Sequence, residues 1–255
     1  MNVISIVNHK GGVGKSTIST NLAGYFANQN KKVLIGDFDI QQSSHNWLLH
    51  RPENVSKIDL WHIQNGKLEY PSKDTDYIII DSPAGIRASS LEKLVKLSDK
   101  VIIPLKPGYF DIMSTESFLE EIIEMINSTE KEIDLCVIGN MVDSRTKSTE
   151  QLSKYLDSLG VEIPTMIRQA QIYVHLAAHG LTIFDSKKNI FEHEIQQWKH
   201  LLNWIEQENI EEEIPQAISN KNHTKEMNSQ PLQVSNIIIE PQFNNVKYRS
   251  SFKNE

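Results

Sequence analysis

The sequence predicts an α/β fold: a doubly wound, mostly parallel sheet with helices on both faces. Short runs made almost wholly of Val and Ile recur along the first 140 residues, as in strands buried on both faces. Longer stretches with apolar residues at helical spacing separate them, as the crossovers between parallel strands require. The polar residues of the runs fall at their C-terminal ends, where open sheets of this kind place ligands.

The elements follow in order. NVISIV, residues 2–7, is the first strand, and the glycine-rich loop after it opens the helix STISTNLAGYFANQ. KKVLIG ends at Asp37 and DYIIID ends at Asp81, so two strands close on carboxylates. DKVIIPL and IDLCVIG are two further strands. A last helix, FEHEIQQWKHLLNWIEQENIEEE, is expected to run to about residue 213. The folded domain is therefore expected over residues 1–213. Residues 214–255 are rich in Asn, Gln and Ser around a short apolar island, NIIIEP, and read as a mobile polar tail.

A chain of 255 residues with 39% hydrophobic content can bury a full core. No apolar run reaches the roughly 18 residues of a membrane span, and the first strand starts at residue 2 without a signal peptide. A cytoplasmic protein is expected. The single cysteine, Cys136, sits inside an apolar run and is expected as a buried core thiol. With a net charge of −7, any contact with nucleic acid needs a local basic patch.

The stretch IVNHKGGVGKST, residues 6–17, reads as the phosphate-loop pattern G-x-x-x-x-G-K-[ST] with an extra lysine, Lys10, before its glycines. Gly11, Gly12 and Gly14 let the backbone turn tightly, so that amide N–H groups converge on an anion at a helix start. Lys15 would reach the β- and γ-phosphates of a nucleotide, and the Ser16 hydroxyl would ligand Mg²⁺. The nucleotide-binding set at this loop is Lys10, Gly11, Gly12, Val13, Gly14, Lys15, Ser16 and Thr17.

KGGVGKST resembles the deviant Walker A motif of the ParA/MinD group of P-loop ATPases, and the likeness extends over about residues 1–210. DFDIQQ and DSPAGI look like the MinD versions of the next two motifs. IPLKPGYFDIMSTESF, GNMVDSRTKSTEQL and IPTMIRQAQIYVHLAAHGLTIFD look more like ParA. The resemblance implies ATP and Mg²⁺ as cofactors and a homodimer with ATP sandwiched between its subunits. Lys10 would cross to the partner's nucleotide, where a second cation stabilises charge developing in phosphoryl transfer, as an arginine finger does.

Lys10, Lys15 and Asp39 are the implied catalytic residues, Asp39 by matching the family aspartate that positions the attacking water. Asp37 is read as supporting Mg²⁺ or its water shell, and Asp81, in the Walker B position, as holding Mg²⁺ through a water. A lone aspartate at a strand end is more often a cap or turn former, but three around such a loop reverse that reading. One departure stands out: the ParA-like DPQ is DIQQ here, with Ile40 in place of proline, which leaves the geometry of this loop open. By the same resemblance Asn140 reads the adenine edge with Met141 against it, and the backbone around Ile167 and Arg168 lies on the other side. Met and Ile in such places are as often core residues.

For what the nucleotide would move, two readings are carried. A ParA-type ATPase would bind DNA nonspecifically, stay with the nucleoid, and position a cargo whose ParB-like or adaptor protein triggers hydrolysis. The candidate phosphate contacts are Arg145, Lys147, Lys187, Lys188 and Lys199. The tail adds Lys221, Lys225, Lys247, Arg249 and Lys253 against Glu226, Glu240 and Glu255. A MinD-type membrane switch is the alternative. It needs a basic amphipathic helix, whereas the last helix ends in EQENIEEE and its Trp198, Leu201, Leu202 and Trp204 are expected on the sheet. A single cysteine excludes an iron–sulfur reductase even in a dimer. No sequence-reading helix-turn-helix domain is expected ahead of a strand that starts at residue 2.

Overall fold

The computed structural model describes residues 1–61, 63–64, 67–68, 71–186 and 189–207. The first half of the chain runs β1 (Asn2–Ile6), α1 (Lys15–Asn28), β2 (Val33–Asp37), α2 (Ser43–Leu49), β3 (Asp59–Leu60), β4 (Ile63–Gln64), β5 (Lys67–Leu68), β6 (Tyr77–Asp81) and α3 (Ala88–Leu97). The second half runs β7 (Lys100–Leu105), α4 (Tyr109–Asn127), β8 (Asp134–Val142), α5 (Lys147–Ser158), β9 (Met166–Arg168), α6 (Gln171–Ala177) and α7 (Glu192–Glu206). Seven strands form one sheet in the order β3-β2-β6-β1-β7-β8-β9, and every neighbouring pair is parallel. β4 and β5 form a separate antiparallel pair.

Successive residues of a strand point to opposite faces, so runs of Val and Ile make both faces apolar. On one face Ile4, Ile6, Ile35, Ile79 and Ile138 pack with Ile18, Leu22 and Phe26 of α1 and with Trp198 and Leu201 of α7. On the other, Val101, Ile103 and Val137 meet Phe118, Leu119 and Ile122 of α4 and Leu152 and Leu156 of α5. Val3, Ile78 and Ile80 meet Leu94 of α3 on that side. Removing one such side chain, as in Ile79→Ala, costs about 2–5 kcal/mol through lost transfer energy and the cavity left behind. Cys136 lies fully buried in β8, and burial pushes its thiol pKa well above the ordinary value, as expected of an inert core thiol.

The aromatic side of α7 is used inside the domain. Trp198, Leu201, Leu202 and Trp204 are all buried. Trp198 Nε1 donates to the Tyr173 hydroxyl at 2.9 Å, and Phe184 meets its ring edge-on. The helix ends earlier than its sequence pattern predicts. Its last residue is Glu206, and Gln207 is already extended. Ile205 is buried in the last turn, and the sequence beyond it is rich in glutamate, whose like charges at helical spacing disfavour a helix. Residues 208–213 and the tail expected over 214–255 lie outside the described residues. No described helix is long and apolar enough to cross a membrane.

The chain runs outward to β2 and β3 on one side of β1, returns through β6 to pair with β1, and then continues through β7, β8 and β9 on the other side. This reversal is the switch point at which an open sheet leaves a crevice beyond its C-terminal strand ends.

Candidate functional site

Strand register sets the base of the site. Asp81 at the end of β6 is level with Ile6 of β1 on one side and with Asp37 of β2 on the other. The glycine loop starts where β1 ends, so two carboxylates and the loop share one edge of the sheet. Gly85 N–H donates to the His9 carbonyl at 2.7 Å and ties the loop after β6 to the glycine loop.

Gly12 and Gly14 take left-handed backbone angles, with φ of 70° and 93°. A Cβ on Gly14 would stand 2.1 Å from Asn140 Nδ2, so glycine is required there on two counts. Gly14 is the N-cap of α1 and supplies no side-chain cap, which leaves the first N–H groups of the helix directed at the crevice. Val13 is buried beneath the loop. Counting back from Gly14, the first glycine of the general phosphate-loop pattern falls on His9, so the loop departs from that pattern at this position. The His9 ring packs against Phe118, and burial lowers its pKa. Ser16 and Thr17 line a cleft of about 320 Å³ together with Ser43, Asn46, Trp47 and His50 of α2 and its C-terminal end.

Lys15 is buried and its Nζ donates to the Lys10 carbonyl at 2.9 Å, folding the side chain back over the loop. Burial lowers its pKa, while the carboxylates of Asp81 and Asp39 pull it back up. Asp81 is 1% exposed. Its Oδ2 accepts from the Ser44 hydroxyl, and its Oδ1 has no hydrogen-bond partner. Burial pushes the Asp81 carboxyl up to about 6, against the opposing pull of the Ser44 and Ser16 hydroxyls. A buried carboxylate with one free oxygen, next to a lysine and a serine at a helix start, fits a site for a hydrated Mg²⁺ ion.

The two carboxylates after β2 hold a turn. Asp37 Oδ1 accepts from the Asp39 N–H at 2.9 Å and Oδ2 from the His45 N–H at 3.0 Å. Both oxygens are thus engaged in fixing the loop and the first turn of α2, the cap role that the residue type also allows. Asp39 Oδ1 accepts from the Gln41 N–H at 2.9 Å, and Oδ2 is 3.4 Å from the Ala84 N–H across the crevice. These bonds answer the question raised by Ile40. The loop is shaped by its aspartates and needs no proline, and the Ile40 side chain stands 95% exposed.

Lys10 is drawn to α4. Its Nζ donates to the Phe110 carbonyl at 2.6 Å and to Asp111 Oδ1 at 3.1 Å. Tyr109 and Phe110 beside it are exposed aromatic residues. Neither Ser44 nor Asp111 was legible as a site residue, because each pairs with a strand or loop far away in the chain.

At the other end of the crevice β8 carries a bulge at Asn140–Val142, and Met141 has a φ of 55°. Asn140 is buried and its Nδ2 donates to the Val13 carbonyl at 2.8 Å, so this residue supports the glycine loop directly. Met141 reaches the same glycine, Gly14. The Ile167 side chain lies in the core. The Arg168 N–H donates to Gln197 Oε1 at 2.8 Å, and its guanidinium pairs with Glu194.

Three of the candidate cations for DNA lie among the described residues. The exposed Arg145 is paired with Asp143 through two side-chain bonds of 2.9 and 2.7 Å. Lys147 begins α5 and Lys199 lies on α7, both exposed. Lys187, Lys188 and the tail cations lie outside the described residues.

Residues 4–183 match the family described as the CobQ/CobB/MinD/ParA nucleotide binding domain. The maintenance of carboxysome distribution protein A of Halothiobacillus neapolitanus is 24% identical over 189 residues, 71% of this chain and 86% of that protein. The chromosome-partitioning ATPase Soj of Thermus thermophilus is 24% identical over 186 residues, 60% of this chain and 74% of that protein. Among solved structures, MinD in the MinC:MinD cell division complex of Aquifex aeolicus superposes with a TM-score of 0.60 at 22% identity, over 80% of this chain and 96% of the other. With the sheet order, the glycine loop and the two strand-end aspartates in place, the chain belongs to the CobQ/CobB/MinD/ParA nucleotide-binding domain family.

Proposed function

We propose that the chain is a ParA-like ATPase that dimerises on ATP, binds DNA nonspecifically and positions or segregates a cargo, with hydrolysis stimulated by a ParB-like or cargo-adaptor protein. One observation carries this reading. A buried lysine, a buried carboxylate with a free oxygen and a turn-held aspartate meet at one glycine-rich helix start. The relatives named for carboxysome distribution and for chromosome partitioning support a large intracellular cargo of one of these kinds.

In this reading Lys15 exchanges the Lys10 carbonyl for phosphate oxygens, and its partial desolvation strengthens that attraction. Ser16 and Asp81 hold Mg²⁺, which neutralises phosphate charge when bound. Asp39, on a loop fixed by its own hydrogen bonds, orients the water. Asp39 orients water without itself being a strong base, so basal turnover is slow and the partner protein raises it. Lys10 leaves Asp111 to reach the partner subunit's nucleotide, and exposed Tyr109 and Phe110 supply apolar area beside it. The membrane alternative finds no support in α7, whose apolar residues are already buried.

The test is binding of the purified protein to random-sequence duplex DNA and to anionic vesicles, each with ATP, ADP and no nucleotide. DNA binding that needs ATP, with log affinity falling by roughly 0.9 per phosphate contact per log unit of salt, is expected. DNA binding equal in all three states, or vesicle binding alone, would overturn the reading.

A further inference from the structure

We propose that Ser44 is a positioning residue for the magnesium site: its hydroxyl holds Asp81 by one oxygen so that the other is presented to the ion's water shell. The proposal rests on the reading of Asp81 as the magnesium carboxylate. Ser44 is fully buried on the first turn of α2, and its Oγ donates to Asp81 Oδ2. The remaining oxygen, Oδ1, is buried and without a hydrogen-bond partner. A carboxylate with both oxygens free could rotate about its terminal torsion, which is broad and roughly two-fold. One fixed hydrogen bond removes that freedom, as outer partners of metal-site carboxylates do.

The same bond links two parts of the site. Ser44 follows directly on the loop of Asp37 and Asp39, whose shape Asp37 sets through the N–H groups of Asp39 and His45. The loop that carries Asp39 and the carboxylate of β6 are therefore joined by Ser44 as well as by the level register of Asp37 and Asp81. A hydroxyl serves here where a larger or charged group would not, because the position has no exposed surface. Its neighbour Ser43 is exposed and makes no such contact.

The experiment titrates Mg²⁺ into the full chain with a fluorescent ATP analogue and reads the midpoint at which nucleotide binding tightens. Ser44→Ala is expected to raise that midpoint by about 10–100-fold, the usual cost of losing an outer partner, while affinity measured in EDTA stays unchanged. Ser44→Cys keeps a weaker donor and is expected to shift it in the same direction by less. Ser98→Ala deletes another buried hydroxyl, bonded to Ser5 and the Leu94 carbonyl and to none of the site residues, and is expected to shift nothing. Thermal melts confirm that each variant is folded. An unchanged midpoint in Ser44→Ala and Ser44→Cys, with magnesium dependence intact in the unmutated chain, would overturn the role of Ser44. An unmutated chain that binds the analogue equally with and without Mg²⁺ would overturn the magnesium reading, and the Ser44 proposal with it.

Discussion

At the C-terminal edge of the sheet Lys15, Asp39 and Asp81 are set around one glycine loop, whereas the candidate cations for DNA lie on the surface at the start of α5 and on α7. The carboxylates of Asp81 and Asp39 both act on the buried Lys15 ammonium, and Asn140 supports the same loop through Val13. Arg145 and Lys147 flank the start of α5 and Lys199 lies on α7, and Arg145 is already paired with Asp143. The first group is positioned by backbone register and by glycine angles, so a motif read from the sequence translates into a place. The second group was chosen by charge alone, and charge on a surface carries no register.

Substitutions at the strand-end site should be large and specific if this contrast holds. Asp39→Ala is expected to lower ATP turnover on the order of 10²-fold or more with little change in nucleotide affinity, because orienting water is a transition-state contribution. Lys10→Ala should likewise abolish stimulated hydrolysis. Steady-state turnover alongside equilibrium binding separates the two effects, and an Asp39→Ala enzyme at the unmutated rate would move the water-positioning role elsewhere. Lys15→Ala is expected to weaken ATP binding on the order of 10²-fold, the loss of about 2–3 kcal/mol of charge-assisted bonding. Isothermal titration reads it directly.

Asp81 gives the contrast a pH signature. An unfolded aspartate ionises near pH ~4, while burial pushes the folded Asp81 up to about 6. Between these values the folded chain holds the extra proton, so its stability falls as pH rises through this window, and the deficit is complete above about 6. Asp81→Asn cannot ionise. Without nucleotide or metal it is expected to melt several degrees above the unmutated chain at neutral pH, and the gap should close as pH drops toward ~4. Calorimetry across that range showing a constant gap would mean that the buried charge is not the cause.

The surface cations should give the smallest effects. Lys147→Glu or Lys199→Glu is expected to weaken DNA binding a few-fold and to flatten its salt dependence, leaving ATP affinity intact. Arg145→Glu should do less than either, since Asp143 already occupies the guanidinium. Anisotropy titrations at two salt concentrations rank them. If Arg145→Glu proved the most damaging, the ion pair would have to open on DNA and the contrast between the regions would narrow.

Much of this architecture was legible in the sequence because two kinds of signal agreed. The Val and Ile runs specify strands buried on both faces, and the glycine loop fixes what lies beyond the first of them. Strands of two or three residues, such as Asp59–Leu60 and Met166–Arg168, are too short to carry a period. The helix α7 ends at Glu206, short of the residue 213 that its helical pattern predicted. Within the site the glycines, Lys15 and Asp81 could be named from spacing. Their supports could not: Ser44 lies 37 residues from Asp81, Asp111 lies 101 from Lys10, and Asn140 lies 127 from Val13. Such partnerships are fixed by the fold: the sequence offered Asn140 as an adenine reader, and nothing in it paired that residue with Val13. Asp37, read as supporting Mg²⁺ or its water shell, also has both oxygens engaged by backbone N–H groups.

The most direct test of the central claim is sedimentation velocity of the unmutated protein with Mg²⁺ and either ATP or ADP, with the ATP verified intact at the end of the run. A two-lysine loop with Lys10 reaching across an interface requires two subunits around the γ-phosphate. The expected result is a dimer with ATP and a monomer with ADP, and loss of the ATP dimer in Lys15→Ala. The same monomer in both nucleotides would contradict the account and leave Lys10 as a surface lysine paired with Asp111.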